Sequence, residues 1–302
     1  MSRRAWLLFG GLAVLWGLPY FLIKVALVDL QPMFIVAARL ALAAAVLVPV
    51  ALLTGKEARS LAGRWRWILV FAVIEFVLPF GLLTWAETRV TSSLAGLTIA
   101  AVPTISALIA AQLGLADKLD VTRVIGLVLG ALGVGVLLGL DVGSDSVLAV
   151  LALLGVAVGY AVGPILLRLR LEDAPGPAVM AAATTIAALI YLPWLASAWP
   201  AGQVRATTWW ALAALGLLCS AAAFLIMFAL VAEAGPTRMT VVTYLNPVVA
   251  VALGVFVLDE ALTVGMLVGF PLIILGSLLA TRSNRHPAKT LRVGLETDSI
   301  SP

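Results

Sequence analysis

Two stretches of this chain decide its fold: GLAVLWGLPYFLIK at residues 11–24 and GVAVGYAVGPILLR at residues 155–168. They lie 144 residues apart, and each combines an aromatic residue, a Gly/Pro pair and a terminal basic residue. Neither stretch carries a charge before its last residue, and each belongs to an apolar run about as long as a membrane is thick. The pattern predicts two related transmembrane helices.

The relationship between the two stretches extends along the whole chain. Pro103 and Pro247 share the offset of 144 residues, while Glu87 and Glu233 match at an offset of 146. Together the matches span most of the sequence. We therefore predict two copies of one unit, at residues 1–141 and 142–282, followed by a polar cytoplasmic tail at 283–302.

Composition places both copies in a membrane. The chain is 63% hydrophobic and 11% charged, with a mean hydropathy of +1.15, which excludes an ordinary soluble domain. Helices are expected because unpaired backbone groups are costly in lipid. The predicted fold is all-α, with ten transmembrane helices at residues 5–28, 33–54, 67–87, 92–115, 121–140, 147–169, 177–198, 208–232, 238–258 and 262–281.

The basic residues predict the orientation of these helices. If the N-terminus is cytoplasmic, fifteen Lys and Arg residues fall in inner segments, and only Arg89 and Arg205 fall in outer loops. This bias follows the positive-inside rule and puts both termini in the cytoplasm. Five helices separate the copies, so the second copy must be inverted relative to the first. Because the basic residues flank membrane segments instead of forming one patch, nucleic acid is not an expected partner.

Several short motifs, spread over nearly the whole chain, resemble those of a known family. The motifs are Trp16-Gly17 with Lys24, Ala38-Arg39-Leu40, Ser93 to Leu97 leading to Pro103, Asn246-Pro247, and Glu260 to Thr263 followed by Gly269 and Gly276. The chain thus resembles the EamA-type carriers of the drug/metabolite transporter superfamily, and within them most resembles the YddG-like amino acid exporters. The resemblance implies two inverted five-helix repeats that move small organic metabolites, commonly by export across the bacterial inner membrane.

Aromatic and polar residues near the predicted kinks are candidates for the substrate cavity. Trp16 and Tyr20 share one helical face, and Tyr160 is the counterpart in the second copy. Thr98, Tyr244 and Asn246 lie near prolines of the fourth and ninth helices. An alternative is that these residues only pack helices or anchor interfaces. The predicted helix kinks are Pro19, Pro103, Pro164 and Pro247.

Glu75 lies well inside the third predicted helix. An intramembrane acid is costly and must be protonated, paired or hydrated. One hypothesis assigns it to proton coupling or to binding a substrate amine. The alternative is a neutral, hydrogen-bonded acid that stabilises the bundle.

Charged residues near helix ends predict two gates. Lys24 with Glu87 and Arg168 with Glu233 are proposed ion pairs that close opposite mouths alternately. Arg39 is a candidate for attracting a substrate carboxylate. The alternative is that these long side chains snorkel to the interface.

We therefore predict a secondary transporter that exports amino acids or similar small metabolites by alternating access, as a monomer or weak homodimer. No cofactor, metal site or catalytic motif is expected, and lone Cys219 excludes an intramolecular disulfide. Efflux of cationic drugs is an alternative function, and an integral-membrane enzyme is a more remote one.

Overall fold

The structure is a computed structural model that describes residues 1–281 except 54–58, 116–119, 142–145, 236–238 and 240. Within these residues it contains helices and turns but no strand. Seven helices are long and apolar enough to cross a membrane: α1 (Arg3–Ala26), α2 (Pro32–Leu53), α3 (Leu61–Ala86), α4 (Ser92–Gln112), α6 (Val147–Arg170), α7 (Gly176–Ser197) and α8 (Ala206–Ala234). Three shorter apolar helices are α5 (Val121–Leu137), α9 (Val241–Val257) and α10 (Val264–Ala280).

The all-helical, multi-pass architecture predicted from composition is confirmed, whereas the count of ten membrane-spanning helices remains a prediction. α5 continues beyond its apolar part to Asp141. The predicted boundary between the two copies, after residue 141, adjoins the segment 142–145, which is outside the described residues. The predicted tail at 283–302 also lies outside them.

Prolines interrupt the fourth and ninth helices at matching places. α4 breaks at residues 100–101 and restarts as Val102–Gln112, with Pro103 in its first turn. α9 begins with a short 3-10 turn and continues as Asn246–Val257, with Pro247 in its first turn. Proline lacks the N–H that an interior position needs, so it is best tolerated where a helix restarts. The other two predicted kink residues lie inside continuous helices, Pro19 in α1 and Pro164 in α6.

The third helix of each half contains a π-helical segment. In α3 the segment is Val73–Val77, and in α8 it is Ala214–Ala222. Each extra residue shifts the direction of the side chains that follow, and such segments are frequent at functional sites. Sequence periodicity did not predict either one.

Contacts between helix ends establish that α6 runs opposite to α1. The Lys24 side chain near the end of α1 reaches the main-chain oxygen of Glu87, just after α3. Ser146, just before α6, contacts the main-chain oxygen of Arg89 in the same loop. α6 therefore begins at the face of the bundle where α1 ends. This direction is consistent with the inverted repeat.

The two faces of the bundle are packed differently. We call the face where α1 begins the open face, and the face where α1 ends the closed face. In α4, all seven residues Ser92–Thr98 near the closed face are buried, whereas Thr104 is the one buried residue described between Val102 and Gln112. In α6, every buried residue that is described lies between Ala149 and Gly163, and none lies from Pro164 to Arg170. The helices are thus closely packed at one face and less so at the other.

Exposed tryptophans lie near both faces. Trp6 and Trp65 are at the open face, at 60% and 59% exposure, and Trp199 and Trp210 are at the closed face, at 64% and 76%. Tryptophan is enriched at the two water–lipid boundaries because its ring is apolar and its N–H is polar. Their presence at both faces is typical of a bundle that crosses a membrane.

Candidate functional site

A buried guanidinium lies at the contact between the two halves. Arg39 of α2 is 6% exposed, and its Nε donates a hydrogen bond to Ser220 Oγ of α8 at 3.0 Å. Its guanidinium carbon lies 4.0 Å from the centre of the Phe80 ring of α3. Ser220 in turn donates to Leu215 O at 2.9 Å, a bond across five residues of the π-helical segment. Arg39 is therefore held in position from both halves.

Arg39 has no anionic partner in this arrangement. Among the described carboxylates, none forms a salt bridge with it. Besides Ser220, Arg39 interacts electrostatically with Tyr160, Tyr20 and Glu87. A cation buried at membrane depth is expensive unless an anion or water compensates it. An anion from outside the chain would provide such compensation.

The predicted aromatic residues of the first and sixth helices lie around this guanidinium. Tyr20 is 5% exposed and packs close to Gly96 of α4. Tyr160 is half-buried and interacts electrostatically with both Arg39 and Glu75. Trp16, also half-buried, packs against the same apolar cluster as Tyr160.

Glu75 lies in the π-helical segment of α3, near the middle of the bundle. It is ten residues after Trp65, a rise of about 15 Å along the helix. Its Oε2 is buried without a hydrogen-bond partner and abuts Gly163 of α6, where any side-chain carbon would collide with the carboxyl group. Gly163, which precedes Pro164, thus leaves the space that the Glu75 carboxyl group occupies.

The remaining predicted cavity residues have other partners. Thr98 is buried and donates to Leu94 O within its own helix at 2.8 Å. Tyr244 contacts Thr281 at 3.1 Å, at the open face. Asn246, with its amide turned to satisfy its hydrogen bonds, donates to Val242 O at 3.0 Å and Ala13 O at 3.3 Å. The described contacts of these three residues are within or between helices, and none is with the Arg39 neighbourhood.

Neither predicted ion pair is formed among the described residues in this conformation. Lys24 Nζ donates to the main-chain oxygen of Glu87 at 2.6 Å, while both carboxylate oxygens of Glu87 are buried without a hydrogen-bond partner. Glu233 pairs with Arg4, at 3.4 Å, and accepts from Ser2. Arg168 is exposed and lies apart from that pair. The two matched acids therefore differ: the Glu87 carboxylate is buried, whereas the Glu233 carboxylate is partly exposed and paired with Arg4.

Two mirrored loop contacts were missed at the sequence level. Asp29, after α1, accepts from Arg205 at 3.0 Å and from Thr208 at 2.5 Å, and these hydrogen bonds lower the pKa of Asp29. Asp173, the matching residue after α6, contacts Arg64 at 3.5 Å. The match between the two aspartates was visible in the sequence, but their partners at the starts of α8 and α3 were not.

Glu260 makes the third contact that sequence reasoning missed. Its carboxylate accepts from Ser92 N at 2.7 Å, Ser93 N at 2.9 Å and Ser93 Oγ at 2.6 Å, at the start of α4. Burial alone would raise the pKa of Glu260, but these hydrogen bonds outweigh it and lower the pKa below its ordinary value. The contact clamps the α9–α10 loop to α4 at the closed face. In the sequence the two residues were visible only as members of separate motifs, Glu260 in one and Ser93 in another.

Two apolar grooves, of about 340 Å³ each, flank the bundle. One lies at the outer side of α2, α7 and α8 and includes Phe34, Trp199 and Trp209. The other lies between α2 and α7 towards the open face and includes Leu52 and Ile186. Neither includes Arg39, Glu75 or a predicted cavity residue, and we regard both as lateral, apolar surfaces.

Comparison with known proteins gives concordant results. Residues 4–139 and 147–282 each match the model of the EamA-like transporter family. The chain is 27% identical over 300 residues to the uncharacterized transporter YvbV of Bacillus subtilis (strain 168), covering 97% of this chain and 96% of that protein. It is 30% identical over 121 residues to protein PagO of Salmonella typhimurium (strain LT2), which is 40% of each chain.

The fold also has a solved relative. A structure described only as the crystal structure of a protein superimposes with a TM-score of 0.67 at 23% sequence identity, covering 93% of this chain and 98% of that one. At this identity the likeness concerns the fold alone. The family model, by contrast, matches almost the entire chain, once in each half. This chain belongs to the EamA-like transporter family, within the drug/metabolite transporter superfamily.

Proposed function

We propose that this transporter exports amino acids or similar small zwitterions across the bacterial inner membrane, with both termini in the cytoplasm. Ten membrane helices, arranged as two inverted five-helix repeats, provide alternating access to one central site. The narrower likeness to the YddG-like amino acid exporters supports this substrate class. The excess of Lys and Arg near the open face supports the orientation.

The observation that carries the proposal is the braced guanidinium of Arg39. Ser220 fixes its Nε and Phe80 covers one face, so the terminal edge of the guanidinium is the part available to a ligand. A guanidinium held in this way presents a planar fork that matches a carboxylate. Glu75, which interacts electrostatically with Tyr160 as Arg39 does, supplies an acid for the ammonium group of the same substrate.

The unequal faces support alternating access. The matched acids Glu87 and Glu233 are sealed at one face and hydrated at the other. Two inverted copies of one unit can exchange these environments when the bundle rocks about a fixed site. In this conformation the site is expected to communicate with the open face, which is the cytoplasmic one in the proposed orientation.

Transport by proteoliposomes tests the substrate class. Vesicles that contain the purified protein are preloaded with one radiolabelled amino acid, and external compounds are tested for trans-stimulation. We expect stimulation by several amino acids and none by organic cations or sugar phosphates. Stimulation by organic cations alone would reject the proposal.

Substitution of Arg39 tests the carboxylate site. Arg39→Gln should reduce uptake of an amino acid by at least about tenfold, the cost of one charged hydrogen bond, and should remove the preference for the amino acid over its decarboxylated amine. Arg39→Lys keeps the positive charge but lacks the planar guanidinium fork. Its uptake is therefore expected to lie between that of the parent and that of Arg39→Gln. Arg89→Gln, on an exposed loop, is the matched control. Unchanged discrimination in Arg39→Gln would exclude this role.

Efflux of cationic compounds is the second candidate, and the unpartnered acid Glu75 is the observation in its favour. If cations are the substrates, Glu75→Gln abolishes their transport. In a zwitterion exporter, Glu75→Gln should instead weaken amino acids while sparing deaminated acids. Transport assays of an amino acid, its amine and its deaminated acid separate the two functions. Unaltered transport of all three would leave Glu75 only a packing role.

A further inference from the structure

One acid of the closed face has no role in the proposed substrate site. Glu87 follows α3 directly and is fully buried, at 0% exposure. Both of its carboxylate oxygens lack a hydrogen-bond partner. Its neighbours in the chain, Leu83, Ala86 and Val90, belong to a buried apolar cluster. An ionised carboxylate in such a place would lose its hydration without any hydrogen bond in return.

Four charged or titratable groups from neighbouring elements face Glu87. Lys24 of α1 is the nearest, but its ammonium is bonded to the main-chain oxygen of Glu87 at 2.6 Å and not to the carboxylate. Arg39 of α2 and Glu260 of the α9–α10 loop interact with Glu87 electrostatically, as does Tyr20 of α1. Glu260 is itself satisfied by Ser92 and Ser93, so it adds an anion close to Glu87.

The matched acid in the second half is in the opposite state. Glu233 lies at the open face, keeps 25% of its side chain exposed and pairs with Arg4. Glu233 thus has a cationic partner and access to solvent, whereas the carboxylate of Glu87 has neither a hydrogen-bond partner nor access to solvent.

We propose that Glu87 is a proton-binding site: closing its face of the bundle takes up one proton from that side, and opening the face releases it. The inference rests on the proposed alternating access. The neutral acid fits the buried apolar cluster, and the ionised acid fits a hydrated vestibule in which Lys24 can turn from the main chain to the carboxylate. Because the proton returns to the side from which it came, this site regulates opening by pH and carries no proton across the membrane.

The direction of the effect follows from linkage. The closed form binds one more proton than the open form, so acid on that side favours closure and alkali favours opening. One linked proton changes the open-to-closed ratio by at most about tenfold per pH unit. If Glu75 instead coupled transport to protons, a net flux of protons across the membrane would accompany the substrate.

A cysteine reporter in the closed cluster tests the proposal. Val90→Cys is made in a Cys219→Ser background, and its modification by a thiol reagent is measured in nanodiscs from about pH 5.5 to about pH 8.5, where a buried carboxyl titrates. Val28→Cys, at an exposed position of the same face, corrects for the intrinsic pH dependence of the thiol. We expect the corrected rate at Val90→Cys to rise by up to about tenfold per pH unit.

The variants then identify the group that titrates. Glu87→Gln should make the corrected rate independent of pH, whereas Glu75→Gln and Glu260→Gln should each retain a pH dependence. A flat profile in the parent reporter, or a slope that persists in Glu87→Gln, would overturn the proposal. If Glu87→Gln does not fold, the parent protein is examined by infrared spectroscopy for the band of a protonated carboxylic acid. Absence of this band at neutral pH would reject the proton-binding site.

The same measurements separate this inference from the proposed function. A reporter that is modified at a pH-independent rate leaves alternating access standing and rejects only the proton site. A reporter that is never modified, while the same protein transports substrate, rejects alternating opening of this face and the proton site with it. Amino acid specificity is tested by neither result.

Discussion

Glu260 illustrates how one side chain can join two distant parts of the chain. Three donors at the start of α4 point towards its carboxylate, two of them main-chain N–H groups. The first N–H groups of a helix have no partner within the helix, so a carboxylate there satisfies hydrogen bonds and the helix dipole together. The residue thereby fixes the loop before α10 against α4.

Replacing this carboxylate should destabilise the protein in a pH-dependent manner. Glu260→Gln is expected to cost about 1–2 kcal/mol near neutral pH, the range for a lost cap with a charged acceptor. The folded protein lowers the pKa of Glu260, so its stabilisation is fully present above the ordinary pKa of 4.5 and is lost as pH falls through the lower folded value. Thermal unfolding in detergent at several pH values measures this.

Glu172→Gln is the matched control, since Glu172 is an exposed acid in the loop after α6. It should unfold at the parental temperature throughout. If Glu260→Gln also unfolded at the parental temperature at neutral pH, the three hydrogen bonds would contribute nothing to stability.

At the scale of elements, α5 and α10 form the closest helix pair. Gly126 and Gly130 face Gly276, and Gly133 faces Gly269, so the two backbones touch along a seam. Small residues allow this approach, and in lipid the resulting van der Waals contacts are a principal source of helix association. Thr104 and Ser277 add a buried hydrogen bond of 2.7 Å beside the seam. The glycine pattern of α5 and α10 thus serves packing within the bundle.

A side chain at this seam should push the helices apart. The Cβ of Gly133→Val would lie 2.8 Å from the main-chain oxygen of Gly269, and backbone has little freedom to move away. We expect a loss of about 1–3 kcal/mol, the usual range for overpacking, measured as a lower unfolding temperature. Gly135→Val in the same helix is the control, because nothing lies within 4 Å of a Cβ there. Equal losses of stability in both variants would exclude contact at the seam as the cause.

At the scale of the molecule, the two mirrored loop contacts differ with the face they occupy. Asp29 and Arg205 are 3.0 Å apart at the closed face, whereas Asp173 and Arg64 are 3.5 Å apart at the open one. Glu87 and Glu233 also differ with their face: the Glu87 carboxylate has no hydrogen-bond partner at the closed face, whereas Glu233 pairs with Arg4 at the open face. One rearrangement that exchanges the two faces would exchange all of these contacts together.

The proposed topology makes a direct prediction about sidedness. Single cysteines at residues 1 and 302, in a Cys219→Ser background, should both be protected from an impermeant reagent added to intact cells. Both should react after permeabilisation, because an even number of crossings returns the chain to its starting side. Labelling of one terminus alone in intact cells would contradict the inverted ten-helix arrangement.

Sequence reasoning reached part of the site. It identified Arg39 and Glu75 because charge is rare in these apolar runs, and it identified Tyr160 because it repeats the aromatic position of Trp16. It missed Ser220 and Phe80, the residues that hold Arg39, because neither is unusual in an apolar helix. The π-helical segments that orient Glu75 and Ser220 shift the helical register, and a uniform apolar pattern gives no sign of such a shift.

The helical, membrane-embedded and duplicated character of the chain follows from its residues alone, since the length of an apolar run and the need to pair backbone groups in lipid are local properties. The partners of the charged residues depend instead on how the helices pack. Lys24 and Arg168 occupy matching places, yet one is bonded within a packed face and the other is exposed. Two copies of one unit have the same local preferences, and they differ only through the packing that surrounds each of them.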